Sequence, residues 1–356
     1  MIDLSRFFSD KYAALTPYTP GEQPKNRTFI KLNTNESPFP PSPKAREYAR
    51  RAAESLHLYS DPTCAALTAK AAEILGVAED EIIFSNGSDE VLNFAFMAFA
   101  DSRGAAFADI TYGFYPVYGE LHGVQVEIIP LEEDFSLDYQ KYCGLNKMIV
   151  IANPNAPTGM EIPLWQIEEI LKTNSDAVVV IDEAYVDFGG TSCYKMIKDY
   201  ENLLVVRTFS KSRCLAGARL GYGFGDPALI EDLEKLKYST NPYNVNRLTM
   251  MLGCETVDAE PYYREVSQKI QSARSWTVDA LENLGFEVLP SKANFIFARH
   301  PAISGADLYS GLRQRGILVR HFTKARIKDF VRITIGTQAQ MEKLAEALGE
   351  MTGGTT

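Results

Sequence analysis

The sequence predicts an α/β protein with a large domain, built on a mainly parallel sheet covered by helices, and a smaller α+β domain. The runs Met148–Ala152 and Ala177–Ile181 are continuously apolar rather than alternating, which is typical of strands buried on both faces. A helical segment over Leu164–Thr173 lies between them and supplies the crossover that parallel strands need. From about residue 257 the pattern changes to a long helix followed by short strands, which indicates the second domain.

The N-terminal 43 residues are rich in proline and asparagine, which predicts an extended arm. A disordered tail is disfavoured because the arm carries apolar anchors, namely Tyr12, Tyr18, Phe29, Ile30 and Leu32. We therefore assign residues 1–43 to an arm that is part of the small domain, residues 44–256 to the large domain, and residues 257–356 to the C-terminal small domain.

Helix and strand patterns alternate along the large domain. Its predicted helix over Ala65–Leu75 ends at Gly76, a residue type favoured at helix C-termini. Ser88 opens a helix that covers Val91–Ala100 and is apolar around most of its circumference, which indicates burial. The predicted strands are Glu81–Ser85, Ala105–Ala108, Val124–Ile129, Met148–Ala152, Ala177–Ile181 and Leu203–Arg207.

The small domain begins with a predicted helix over Tyr262–Leu284, which ends at Gly285. A second helix covers Ser304–Arg315, with Ser304 as its predicted N-cap because its hydroxyl can accept from the first turn. A final helix covers Gln338–Glu350. The predicted strands here are Phe286–Leu289, Asn294–Ala298, Ile317–Arg320 and Phe330–Ile335.

Composition argues against several classes of protein. The net charge of −10 disfavours nucleic-acid binding, and no basic run offsets it. The 5 cysteines are scattered, which favours a reducing compartment, and the 4 histidines lack metal-ligand spacing. There is no apolar signal core at the N-terminus and no uncharged apolar stretch near the roughly 20 residues of a membrane span. We expect a cytoplasmic enzyme that binds no metal, membrane or nucleic acid.

Polar residues follow four of the predicted strands, at the edge where open α/β sheets bind ligands. The glycine turn Asn86-Gly87-Ser88-Asp89 leads into a helix N-terminus, which favours an anion. A rigid polar loop covers residues 153–159. Asp182 and Tyr185 follow the next strand, and the last strand ends in Thr208-Phe209-Ser210-Lys211. The four strand ends therefore offer a phosphate cradle, a polar loop, a carboxylate with a phenol, and a lysine.

This set matches the needs of pyridoxal phosphate. Lys211 could form a Schiff base with the aldehyde, and the hydroxyls with Arg219 could hold the phosphate. Asp182 could pair with the pyridine nitrogen and Tyr185 could hydrogen-bond the 3′ oxygen. Taken singly, these residues have ordinary alternatives: a surface turn for Lys211, a helix cap for Asp182 and a core position for Tyr185. Their joint occurrence favours the cofactor.

Several short motifs together cover nearly the whole chain: residues 17–21, 32–38, 59–62, 87–90, 182–185, 210–211, 215–221, 243–246, 316–320 and 332–336. Through them the chain resembles the fold-type I, class II pyridoxal-phosphate-dependent aminotransferases. The proline arm and Tyr243-Asn244-Val245-Asn246 favour the histidinol-phosphate branch of that family. The resemblance implies a seven-stranded, mainly parallel sheet and pyridoxal 5′-phosphate as cofactor.

The resemblance also implies roles for single residues. Lys211 would be the Schiff-base lysine, with Asp182 at the pyridinium nitrogen and Tyr185 at the 3′ oxygen. Tyr112 would stack on the ring, although an ordinary loop aromatic is the alternative. Tyr59 would reach the phosphate of the other subunit's cofactor, so that the homodimer is the active form. The phosphate would be held by Ser88, Asp89 through its backbone N–H, Ser210 and Arg219.

On the substrate side, Arg332 would bind the anionic end, which is the α-carboxylate of glutamate or the phosphate of histidinol phosphate. Arg320 would assist it, or form a surface salt bridge instead. Tyr18 and Asn35 in the arm would close over the substrate.

One position departs from the family pattern. The family usually carries asparagine immediately before Pro-Thr-Gly in the polar loop, where it binds the 3′ oxygen, and this chain has Ala156. Alanine cannot donate a hydrogen bond. Asn155 or Asn153 takes over this contact, or Tyr185 acts alone; we select Asn155 as the cofactor-binding candidate.

The resemblance implies transamination between L-histidinol phosphate and 2-oxoglutarate, giving imidazole-acetol phosphate and L-glutamate, in L-histidine biosynthesis. An aromatic amino-acid aminotransferase or a phospho-amino-acid decarboxylase on the same fold is the alternative, because the lysine chemistry is shared. A regulatory protein with an aminotransferase-like domain is disfavoured, since the chain is acidic and has no DNA-binding module before residue 30.

Overall fold

The computed structural model of the protein describes residues 5–24 and 29–353. In chain order its strands are β1 (Ile30–Lys31), β2 (Ile82–Ser85), β3 (Ala105–Ala108), β4 (Val126–Ile129), β5 (Met148–Ala152), β6 (Val179–Asp182), β7 (Leu203–Thr208), β8 (Gly221–Phe224), β9 (Glu287–Val288), β10 (Phe295–Arg299), β11 (Ile317–Leu318), β12 (Arg320–His321) and β13 (Phe330–Thr334). Its α-helices are α1 (Pro43–Ala52), α2 (Ala65–Leu75), α3 (Ser88–Phe99), α4 (Tyr115–His122), α5 (Leu164–Thr173), α6 (Pro227–Thr240), α7 (Arg247–Asp258), α8 (Glu260–Asn283), α9 (Gly305–Gln314) and α10 (Gln338–Thr352).

A seven-stranded sheet in the order β2-β8-β7-β6-β5-β3-β4 forms the centre of the large domain. The strands run parallel except β8, which is antiparallel to both of its neighbours. The predicted α/β fold with a mainly parallel seven-stranded sheet is thus confirmed. β5, β6 and β7 end side by side, and the segments that follow them therefore meet at one edge.

Alternate side chains of the central strands enter two separate cores, as the continuous apolar runs predicted. Ile181 and Val205 pack on one face with side chains of α2, α5 and α7. Val180 and Leu204 pack on the opposite face with side chains of α3, α4 and α6. The central strands β5, β6 and β7 are consequently buried on both faces.

The small domain contains an antiparallel sheet in the order β12-β13-β10-β9, and α8, α9 and α10 contribute to its core. Ser304 caps α9 as predicted, because its hydroxyl accepts from the Asp307 N–H at 3.1 Å. The boundary predicted near residue 257 stays a prediction; α7 ends and α8 begins beside it.

The predicted single strand over Ile317–Arg320 is wrong in one respect: the structure divides it into β11 and β12, which join different sheets. β11 pairs in parallel with β1 of the N-terminal arm, whereas β12 pairs with β13. The arm is thereby attached to the small domain. The same division sets Arg320 directly opposite Arg332.

None of the helices in the described ranges has the length and apolar character that crossing a bilayer requires. Within the same ranges, His, Cys, Asp and Glu side chains form no group of three or more that could hold a metal ion.

Candidate active site

A cavity of about 250 Å³ lies at the carboxyl ends of β5, β6 and β7. The loops after these strands and the N-terminus of α3 meet there, so the structure brings together residues that are far apart in the chain. Its walls include Ser88, Asp89, Tyr112, Ala156, Asp182, Tyr185, Thr208, Ser210, Lys211 and Arg219.

Lys211 projects from the turn after β7. The Thr208 hydroxyl accepts from the Ser210 N–H at 3.0 Å and so fixes the shape of this turn. The Lys211 Nζ lies 5.8 Å from the centroid of the Tyr185 ring and has no hydrogen bond or ion pair with any described residue. A half-buried amine without a partner is available to react with an electrophile in the cavity.

Asp182 is the last residue of β6 and is buried. The Tyr115 hydroxyl donates to its Oδ2 at 2.8 Å, and the Ala184 N–H donates to its Oδ1 at 3.1 Å. Burial raises the pKa of Asp182 to about 6, although both hydrogen bonds oppose this rise. A carboxylate that is costly to ionise when alone is well suited to pair with a cationic group in the cavity.

The part of the cavity wall formed by Ser88, Ser210 and Arg219 favours an anion. No side chain among the described residues caps the free N–H groups at the start of α3, where Ser88 lies. Arg219 reaches this point and donates to the Ser210 hydroxyl at 3.4 Å. A Cβ on Gly87 would lie 2.5 Å from the Arg219 guanidinium, and one on Gly221 would lie 2.1 Å from the Ser88 nitrogen. The two glycines therefore allow this close approach of arginine and helix.

Asp89 lines the cavity, and its side chain takes part in the site. Its carboxylate forms an ion pair with Arg219 at 3.0 Å and accepts from the Tyr112 hydroxyl at 2.8 Å. Burial raises the pKa of Tyr112 well above its ordinary value, so this phenol stays protonated. Tyr18 of the arm lies beside it, with ring centroids 6.4 Å apart. The arm thus reaches the rim of the cavity.

Arg332 and Arg320 lie side by side on β13 and β12. The Arg332 Nη2 donates to the Asn33 carbonyl at 3.0 Å, while its buried Nε has no partner among the described residues. Burial lowers the pKa of Arg332, and the nearby Arg320 charge adds to that effect. Arg320 donates to arm carbonyls, at 3.2 Å to Thr19 and 3.3 Å to Pro20, and forms no ion pair with a carboxylate of the described residues. Two adjacent guanidiniums with spare N–H groups can bind an anion.

Asn35 lies behind Tyr185 rather than in the wall of the cavity. It is buried, and its Nδ2 donates to the Tyr185 hydroxyl oxygen at 2.9 Å. The structure therefore connects Asn35 to the site through Tyr185 and not through an open face of its own.

The side chains of the two loop asparagines are hydrogen-bonded outside the wall of the Lys211 cavity. Asn155 accepts from the Thr111 hydroxyl at 2.9 Å, donates to the Ile110 carbonyl at 3.0 Å, and lines a neighbouring cavity of about 270 Å³. Asn153 binds both backbone polar groups of Ile162. The structure thus does not bring the Asn155 side chain to the Lys211 cavity, where Ala156 lies instead. Tyr185 acting alone is the alternative that the geometry favours.

Tyr59 also lies away from the cavity within this chain. Its side chain is 80% exposed, and its ring stacks on Tyr243 with centroids 4.7 Å apart. A contact between Tyr59 and a Lys211 cavity therefore requires a second chain.

Tyr115, which donates to the carboxylate of Asp182, is not among the residues predicted from the sequence. A signal was present in the aromatic segment Tyr112-Gly113-Phe114-Tyr115 that follows β3, because that strand ends at the same sheet edge as the site. The same spacing sets Tyr115 near Tyr112, with rings 5.5 Å apart.

Comparisons with known proteins place the chain in a family. A family model described as aminotransferase class I and II matches residues 27–348. The histidinol-phosphate aminotransferase of Clostridium acetobutylicum is 47% identical over 98% of this chain and 99% of its own length. The histidinol-phosphate aminotransferase of Marinomonas sp. is 49% identical over 97% of this chain and 99% of its own length.

Solved structures share the fold. A histidinol-phosphate aminotransferase from Clostridium acetobutylicum has a TM-score of 0.84 at 25% identity, covering 91% of this chain and 99% of that one. The enzyme of that name from Sinorhizobium meliloti, solved in complex with pyridoxal-5′-phosphate, has a TM-score of 0.88 at 24% identity over 99% of both chains.

Proposed function

This chain belongs to the class I and II aminotransferases, and on that premise we propose that it transfers an amino group between L-histidinol phosphate and 2-oxoglutarate with pyridoxal 5′-phosphate as cofactor. The products would be imidazole-acetol phosphate and L-glutamate, as a step of L-histidine biosynthesis. The observation that carries the proposal is the Lys211 amine, which has no hydrogen bond or ion pair with any described residue and shares one cavity with the buried Asp182 and with Arg219. A cytoplasmic location is supported by the 5 cysteines, which are all free.

The cavity fits this cofactor by its donors and charges. Ser88, Ser210 and Arg219, with the N–H groups of α3, would hold the phosphate, and Asp182 would pair with the ring nitrogen at the other end. When bound, the cofactor supplies an aldehyde that takes the substrate amine and a ring that withdraws electrons from the substrate Cα.

The residues of the chain would do the remaining work. The Lys211 Nζ would hold the cofactor covalently and, once displaced by the substrate amine, accept the proton that leaves Cα. The Asp182 carboxylate would keep a proton on the ring nitrogen, because the pair of charges offsets the cost of burying either one. Tyr185 would donate to the 3′ oxygen, and Tyr112 would cover one face of the ring.

Product analysis tests the substrate assignment directly. Purified protein would be incubated with L-histidinol phosphate and 2-oxoglutarate, and glutamate formation would be compared with that from aromatic amino acids. Release of CO₂ from phosphoserine and phosphothreonine would be followed in parallel. A larger kcat/KM with an aromatic donor, or decarboxylation in place of glutamate formation, would reject the histidinol-phosphate assignment.

Arg332 is expected to bind the anionic end of both substrates. Its substitution in Arg332→Gln should raise the KM for histidinol phosphate and for 2-oxoglutarate by about 100-fold each, with a smaller effect on kcat, because two charge-assisted hydrogen bonds are lost. The KM values of Arg332→Lys should lie between those of the wild type and Arg332→Gln, since lysine keeps the charge but not the planar fork. Steady-state kinetics measure both constants. Arg264→Gln, on the exposed surface, is the control. An unchanged KM for both substrates would contradict this role.

We also propose that the homodimer is the active form and that Tyr59 of one subunit contacts the cofactor phosphate in the other. The exposed Tyr59 ring and the exposed Leu56 and Leu58 beside it support an interface there. Hybrid dimers test this arrangement: one subunit carries Tyr59→Ala and the other Lys211→Ala. We expect about half of the wild-type activity, because one site keeps both native residues only if they come from different chains. Activity no higher than that of the Tyr59→Ala parent would contradict the proposal.

A further inference from the structure

We infer that Asn35 and Thr334 form a hydrogen-bond relay that directs the hydroxyl hydrogen of Tyr185 into the Lys211 cavity. The inference rests on the proposed function, since the acceptor of that hydrogen would be the 3′ oxygen of the bound cofactor. Asn35 and Thr334 are then positioning residues, which act through Tyr185 without touching substrate or cofactor.

The backbone of Asn35 is held from two directions by the small domain. Its N–H donates to the Thr334 hydroxyl oxygen at 2.9 Å, and its carbonyl accepts from the Asn294 Nδ2 at 3.0 Å. Its φ is 57°, in the left-handed region that asparagine tolerates better than most side chains. Asn35 and Thr334 are 1% and 2% exposed, so water cannot readily replace these contacts.

The hydroxyl of Thr334 determines which way the Asn35 amide faces. Thr334 has a single hydroxyl hydrogen, and the acceptor that the described residues offer it is the Asn35 Oδ1 at 3.0 Å. If the amide were reversed, the Nδ2 would face Thr334 and this buried hydrogen would have no acceptor. Oδ1 therefore faces Thr334, and Nδ2 faces Tyr185 at 2.9 Å.

The direction of that last bond decides what Tyr185 can do. Because its oxygen accepts from the Asn35 Nδ2, its own hydrogen is not used by Asn35 and can be donated to a group in the cavity. With a reversed amide, Tyr185 would donate to Asn35 instead. Other titratable groups around its phenol are Lys211, 5.8 Å from the ring, and Arg332 and Tyr115, which interact with it electrostatically.

The relay matters in this chain because neither position 156 nor the two loop asparagines supply a second hydrogen-bond donor beside Tyr185. Ala156 lines the same cavity and has no side-chain donor, while Asn155 and Asn153 are engaged elsewhere. A donor to the 3′ oxygen stabilises negative charge there, so losing it raises the pH at which the proton shared with the lysine nitrogen is released.

The test is a pH titration of the visible absorbance of the holoenzyme. Asn35→Asp tolerates the same φ but can only accept from Tyr185, so the midpoint should rise by about one pH unit, the size of one charge-assisted hydrogen bond. Thr334→Val removes the constraint on the amide and should give a smaller rise, whereas Thr334→Ser, which keeps the hydroxyl, should match the wild type. In a Tyr185→Phe background, Asn35→Asp should add no further shift.

The outcomes separate this inference from the proposed function. A wild-type protein without a visible band that responds to pH would reject the proposed function. A normal wild-type titration with an unshifted Asn35→Asp midpoint would overturn the relay. So would an Asn35→Asp shift that persists in the Tyr185→Phe background, because the added charge would then act without Tyr185. Thermal unfolding of the cofactor-free variants checks that each is folded.

Discussion

Lys211→Ala is expected to lower kcat by on the order of 10⁴-fold or more and to remove the visible absorbance of the bound cofactor. The ε-amine has two tasks that alanine cannot perform: it bonds to the aldehyde and it takes the proton from the substrate Cα. In the described part of the chain Lys211 is the lysine that lines the cavity, so no neighbouring lysine is placed to replace it. Absorbance spectra and single-turnover kinetics of the purified variant measure both effects.

Two matched variants separate chemistry from charge. Lys211→Arg keeps a cation at the same place but has no nucleophilic amine at neutral pH, so it should fail as Lys211→Ala does. Lys235→Ala removes an exposed lysine of α6 and should leave activity and spectrum unchanged. Turnover of Lys211→Ala within tenfold of the wild type would show that the site has been assigned wrongly.

The elements that the sequence predicts best are those that a local pattern determines completely. β3, β5, α2 and α5 have the predicted bounds, because each is an apolar or amphipathic run with a clear end. β8 was missed, since Gly221-Tyr222-Gly223-Phe224 has two glycines and no long apolar run. β8 forms because it pairs with β2 along one edge and with β7 along the other. A short stretch of sequence does not reveal this pairing between distant segments.

The candidate site is likewise predicted only as far as local sequence patterns determine it. The rule that ligands bind at strand ends found Asp182, Tyr185 and Lys211, because it needs only the order of strands along the chain. The direction in which a loop side chain points depends on its hydrogen bonds, and the sequence pattern does not reveal them. Asn155 is held by Thr111 and the Ile110 carbonyl, and the Asn35 amide is oriented by a hydroxyl 299 residues away.

Asp182→Asn is expected to lower kcat on the order of 10³-fold, because a buried ion pair that loses one partner costs about 3–5 kcal/mol. Asparagine has nearly the same shape, and its single amide oxygen can still accept from the Tyr115 hydroxyl, although the Ala184 N–H then loses its acceptor. What is lost is the negative charge that keeps the ring nitrogen protonated. Asp232→Asn on the exposed face of α6 is the matched control and should be fully active.

The stability of the cofactor-free variant, measured relative to the wild type, should rise with pH, which distinguishes a lost charge from a damaged fold. The pKa of Asp182 is raised to about 6 in the folded chain, above the value of about 3.9 expected when unfolded. Between these values the folded protein binds more protons, so the contribution of Asp182 to the free energy of unfolding falls as pH rises from about 4 to 6. Asp182→Asn has no such charge, so its stability relative to the wild type should rise by about 2 kcal/mol between pH 4.5 and pH 7. Denaturant unfolding at pH 4.5 and 7 measures this difference. An inactive variant whose stability relative to the wild type does not rise between these two pH values would show that Asp182 supports the fold rather than the charge of a bound ring.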